Sequence, residues 1–176
     1  MKRIVILLVL SLPLSILAQE KKPVTLKSIL LEQLRSTHNE KDWFVPANTA
    51  VAGLTAEQAS WTDGKGNHSV GQLTNHLIFW NQQQLAKFKG ETPSKFSGDN
   101  NETFNSFDSK KWAATVQQLD EVLTGLEKAI EGANDEQLKF WASTIAHISA
   151  HNAYHIGQIV YIRKLQGSWD PEKGVK

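Results

Sequence analysis

Three histidines are the residues of this sequence best placed to do chemistry together. His151 and His155 sit four apart in the run HISAHNAYHIGQ, which spans His147 to Gln158. On a helix, that spacing puts two side chains on one face with their Cβ atoms about 5–6 Å apart. Two imidazoles so placed can grip one divalent ion. The third, His76, lies in QLTNHLIFW, residues 72–80. It falls on the apolar stripe of its own helix and is expected to point inward. Three imidazoles from two helices predict a metal site with at least one coordination position left for water or substrate. Taken singly, each is equally a buried imidazole donating to a backbone carbonyl.

The remaining histidines read differently. His147, one turn before His151, is expected at the mouth of the site or behind the ligands, because a fourth ligand from so few turns would strain the geometry. His38 continues the Leu30–Leu34 stripe but lies near a helix end, and reads as a surface residue. His68 precedes a helix cap and reads as a loop residue.

Acidic residues are absent from 69–90 and from 143–167. This excludes a local His-Glu-x-x-His metalloprotease motif and leaves no carboxylate beside the histidines as a general base. Metal-bound histidines usually donate their second N–H to an acceptor. Here backbone carbonyls, Asn75, Asn152, Gln158 or an acid from elsewhere must serve. Three neutral imidazoles leave an ion's +2 charge uncancelled, which favours an anionic fourth ligand such as hydroxide, carboxylate, phosphate or thiolate. Imidazole suits zinc or nickel among the first-row ions. Trp80, one turn beyond His76, reads as a pocket wall. Tyr154 and Tyr161 read as packing residues. Gly157 costs about 1 kcal/mol in a helix relative to alanine, so it predicts the close approach of a neighbouring helix. Arg163 and Lys164 fall in a last turn, where cations suit the helix dipole.

The elements that must position these groups are helical throughout. Leu26, Ile29, Leu30 and Leu34 form a first amphipathic stripe, and a short helical piece is expected between Trp43 and Leu54. Ser69-Val-Gly-Gln72 is a capping box. A helix follows from about Val70 to Phe88, ended by Gly90. Residues 90–108 form a polar loop, longer than most connections and of the kind that often carries function. Trp112, Val116, Leu119, Leu123, Leu126 and Ile130 mark a third long helix, which Gly132 and Asn134 break. The last begins between Asp135 and Thr144 and ends near Gln166, with Gly167 as its cap. No strand pattern competes, so the expected fold is an all-α four-helix bundle. Its long inter-helix connections argue against plain up-down-up-down order.

Bulk properties narrow the class. Lys2 and Arg3 precede an apolar run from Ile4 to Leu17, with Ala18 a small residue at the boundary. Residues 1–18 therefore read as a secretory signal peptide. A domain over 19–176 follows, periplasmic or secreted, with no stable membrane anchor after leader cleavage. Without Lys2 and Arg3 the chain has 17 basic and 18 acidic residues, a formal charge of −1. Such a balance gives no electrostatic basis for nucleic-acid binding. The sequence has no cysteine, so metal ligands must be N or O and packing must supply stability. Its six tryptophans divide between core and interface, which leaves a homodimer open.

Three segments together resemble the DinB-like superfamily, also called YfiT-like. They are Trp43-Phe44 through Leu54-Thr55, Ser69 through Leu77, and His151 through Ile159. The likeness extends over nearly the whole chain after the leader. It implies a helical bundle in which His76, His151 and His155 bind a divalent metal, often zinc or nickel. Activities in that family include thiol S-transferases and a thiol-dependent maleylpyruvate isomerase. Their thiol cofactors are cytosolic, and an exported member would not meet them. The expected function is thus an exported metal-dependent protein acting on a small molecule or anion at an open three-histidine site. One alternative is a non-catalytic metal- or ligand-binding module, which the missing carboxylate base favours. Another is a haem-binding bundle, disfavoured because Met1 is the only methionine.

Overall fold

The computed structural model describes residues 23–175, and the signal-peptide reading of 1–18 lies outside them. Among the described residues there are helices and no strands. They are α1 (Leu26–His38), α2 (Ala47–Val51), α3 (Ala56–Ser60), α4 (Val70–Phe88), α5 (Glu102–Asn105), α6 (Trp112–Gly132) and α7 (Asp135–Leu165), with 3-10 turns at Ser109–Lys111 and Pro171–Lys173.

Local chemistry sets the helix ends. The Ser69 hydroxyl accepts from the Gln72 backbone N–H at 3.2 Å, and the Gln72 side chain accepts from the Ser69 N–H at 2.9 Å. This is the reciprocal box expected before α4. Thr25 and Ser28 make the same arrangement before α1. Asn134 separates α6 from α7 and also starts the latter, its side chain accepting from the Gln137 N–H at 2.9 Å. Gly90 and Gly167 close α4 and α7 with φ of 75° and 74°, a left-handed conformation that costs glycine little.

The four long helices form the bundle. Both α1 and α4 pack against α6 and against α7, so α1 faces α4 across a diagonal and α6 faces α7 across the other. Consecutive long helices are therefore not neighbours between α1 and α4, as the long connection suggested, nor between α6 and α7, although only Ala133 and Asn134 join those two. The centre is filled by Leu34, Leu77, Leu119, Leu126, Ile130, Ile145, Ile156 and Ile159, all essentially inaccessible. Close approach between α4 and α6 occurs at Gly125, where an added Cβ would lie 2.9 Å from Leu85 Cδ2. No helix among the described residues is long and apolar enough to cross a membrane.

Several side chains depart from expectation. Gly157 has nothing within 4 Å of where a Cβ would sit, so no helix approaches it closely. Tyr154 and Tyr161 are 64% and 62% exposed rather than packed. Arg163 is not a surface cation. It is 3% exposed, and its guanidinium donates to the carbonyls of Ala50, Ala52 and Ser168 at 2.6, 3.1 and 2.8 Å. It lies 5.3 Å from the centre of the Trp169 ring. His38 is 1% exposed rather than on the surface. Its Nδ1 meets Glu127 Oε1 at 2.5 Å and its Nε2 meets Asp120 Oδ1 at 2.9 Å. The acids of α6 sequester it, and they lie too far along the chain for any local pattern to announce them.

Candidate metal centre

The middle of α4 and the second half of α7 bring His76, His151 and His155 together. One ring nitrogen from each lies within 4.8 Å of the other two. His76 Nε2 is 3.1 Å from His151 Nε2. The ring centroids of His76 and His155 are 4.6 Å apart, as are those of His151 and His155. His76 and His155 are buried, and His151 is half-buried.

Second hydrogen bonds fix which nitrogens face the cluster. The Thr103 hydroxyl donates its single proton to the Asn100 carbonyl at 2.7 Å. It must therefore accept from His76 Nδ1, which lies 2.6 Å away. That leaves the Nε2 lone pair of His76 directed at the cluster. His155 Nδ1 likewise donates to Gln158 Oε1 at 2.6 Å. The Gln158 amide nitrogen donates in turn to the Tyr154 hydroxyl at 3.2 Å. The Nε2 of His155 is thereby left for the cluster. Such outer partners orient metal-bound imidazoles in general.

Burial disfavours the charged imidazoles. It pushes His76 down to about 3, with the neighbouring His155, His151 and His68 adding to the effect. Burial and His155 bring His151 down to about 4. His155 is also lowered, by burial first, against the opposing pull of Gln158. All three rings are thus neutral near pH 7, the state in which imidazole is a ligand. The donor set fits a divalent ion: three neutral nitrogens converge, and outer partners orient the rings of His76 and His155.

A cavity of about 540 Å³ opens beside the cluster between α4 and α7. Its walls include Trp80, Asn81, Gln84, Asn100, Phe104, Thr144, His147, Ile148 and Asn152. Trp80 and His147 are among these walls, with His147 standing exposed on the rim. Of the three amides named as outer acceptors, Gln158 serves a histidine and Asn75 and Asn152 do not. Gln158 orients His155 but lines a different hollow, with Trp61, Asp63 and His68. Asn75 touches no ligand: its amide donates to the Thr103 carbonyl and the Ser106 hydroxyl, both at 2.7 Å, and so pins α5 to α4. Asn152 lines the cavity but pairs with Asn81 through amide bonds of 2.8 and 3.2 Å, forming its floor.

Residues 90–108 contain what sequence reasoning missed. Within that polar stretch α5 presents Thr103 and Phe104, both buried. The Phe104 ring is stacked between His76, at 4.0 Å, and His68, at 3.9 Å. Phe107 lies so close over α4 that a Cβ on Gly71 would be 2.1 Å from its Cζ. The signal was Phe104 and Phe107, three apart, which with Phe96 are the large apolar residues of 90–108. His68, read as a loop residue, is in a loop but shields Phe104.

No curated protein and no solved structure matches the chain. The family model of the DinB superfamily matches residues 47–159, more than half of the chain and the span that holds all three clustered histidines. A helical bundle and a histidine cluster that could hold a metal agree with that match. The chain belongs to the DinB superfamily.

Proposed function

We propose that this chain is a metal-dependent protein whose divalent ion, zinc or nickel, is held by Nε2 of His76, His151 and His155, and that it acts on a small molecule seated in the adjoining cavity. The observation that carries this reading is the convergence of three neutral imidazoles, two of them oriented by outer partners, at one end of a cavity of about 540 Å³. When bound, the ion supplies Lewis acidity toward a carbonyl, phosphoryl or similar oxygen. The chain's own residues do the rest. Thr103 and Gln158 hold two rings in the tautomer that offers Nε2. Phe104 covers His76 and excludes water from that side. Trp80, held by a 3.2 Å bond from its indole N–H to Asn100, forms a fixed wall.

Elemental analysis of the protein from its native host, followed by calorimetric zinc and nickel titration of the apo form, tests the reading. About one ion per chain is expected. His151→Ala and His155→Ala should lose most of it, whereas His147→Ala and His68→Ala should retain it. Thr103→Val should weaken binding about tenfold or more, because the outer partner of His76 is gone. Full occupancy in the variant lacking all three histidines would refute the assignment.

A further inference from the structure

The cavity has a direction. Phe88 contacts Trp141, Asn81 pairs with Asn152, and His76 meets His151 and His155. Rising numbers on α4 thus oppose falling numbers on α7, and the two helices run antiparallel along a groove. The three histidines lie at one end. Gln84 lies eight residues from His76, about 12 Å along α4 at 1.5 Å per residue. Thr144 lies seven residues from His151, about 10 Å along α7 by the same rise.

The groove's chemistry changes along that length. Next to the histidines are Trp80 and Ile148, flat and apolar, over the floor of paired amides from Asn81 and Asn152. Trp80 is backed by Phe96 with centroids 5.4 Å apart, so its ring is braced. At the far end Gln84 and Thr144 face the cavity, and neither makes a side-chain hydrogen bond to any described residue. Both are unspent and face the one cavity. No Asp, Glu, Lys or Arg lines any part of it.

We infer that the ligand of this groove is an elongated molecule of about 10 Å, with an anionic metal-seeking head, a flat uncharged middle, and an uncharged hydrogen-bonding group such as an amide or hydroxyl at its far end. The inference rests on the metal reading given above for the head alone. The middle and tail follow from Trp80, Ile148, Gln84 and Thr144. A formally charged tail would lose hydration against walls that offer no counter-charge. A short ligand would leave the distal groups unused.

Calorimetry on the zinc-loaded full chain separates these features, with acetohydroxamate, benzohydroxamate and 4-acetamido-, 4-carboxy- and 4-aminomethyl-benzohydroxamate as probes. The acetamido compound should bind tightest, gaining about three- to tenfold over benzohydroxamate for a new neutral hydrogen bond. The carboxy and aminomethyl compounds should bind more weakly than benzohydroxamate. Gln84→Ala and Thr144→Val should erase the acetamido gain and leave acetohydroxamate affinity unchanged, which also shows that both variants are folded and loaded. Zinc and acetohydroxamate binding with no gain from the longer probes, or a gain that survives both substitutions, would overturn the ligand inference and leave the metal reading standing. Failure of the wild-type chain to bind zinc would overturn the metal reading and the anionic head with it.

Discussion

At the residue scale, the least expected group is His38. Both its ring nitrogens face carboxylate oxygens, which only a doubly protonated ring can satisfy by donating twice. Burial alone would lower its pKa, but the hydrogen bonds and charges of Glu127 and Asp120 outweigh that and raise it above the usual histidine range. The folded state therefore binds this proton more tightly than the unfolded chain. The stability so gained is complete below the unfolded value of about 6.5 and is lost as pH rises through the raised folded value. His38→Ala should cost about 2–3 kcal/mol at pH 6. That is less than a fully buried pair because Asp120 is half exposed. Denaturant unfolding of both proteins from pH 6 to 9 checks this. The gap between them should narrow as pH rises, and a constant gap would mean that packing, not charge, is what His38 contributes.

At the element scale, the short helix α5 matters out of proportion to its four residues. Alone it could not persist, since nucleating a helix costs more than one turn returns. It is held from outside by Asn75 and by Phe107 seated on Gly71. Gly71→Ala should therefore displace Phe107, destabilise the chain by about 1–3 kcal/mol as overpacking does, and weaken zinc binding as Thr103 shifts from His76. Gly157→Ala is the contrasting substitution on α7. With open space at its Cβ position and a helical backbone, it should stabilise by up to about 1 kcal/mol. Thermal melts of the two variants beside a zinc titration report both effects. Equal behaviour at the two glycines would remove the role assigned to the Phe107 contact.

At the scale of the whole molecule, the histidine cluster joins two helices that no turn connects. His76 comes from α4 and the pair from α7, with α5 and α6 between them in the chain. An ion held by both would bind the folded state and not the unfolded one. Zinc at a hundred times its dissociation constant should then add about 2.7 kcal/mol to stability and raise the thermal midpoint accordingly. The His76→Ala variant should show little of that shift. A full shift in this variant would mean that zinc acts on the molecule elsewhere. Arg163 acts on the same scale, holding the end of α2 and the chain after α7 to the bundle through three carbonyls.

Much of this was legible in the residues, because helix signals are local. A capping box acts over three residues, an apolar stripe over four, and the His151–His155 spacing is itself one turn of helix. Hence α1, α4, α6 and α7 and the inward face of His76, His151 and His155 follow from short windows of sequence. Partnerships across the fold do not. His38 finds its acids 82 and 89 residues away, Thr103 reaches His76 across 27, and Arg163 reaches Ala50 across 113. No periodicity encodes such pairs, since they arise only when helices pack. The groove between α4 and α7, with its unspent polar end, is decided by the same packing. Tertiary structure alone set its length and its lining.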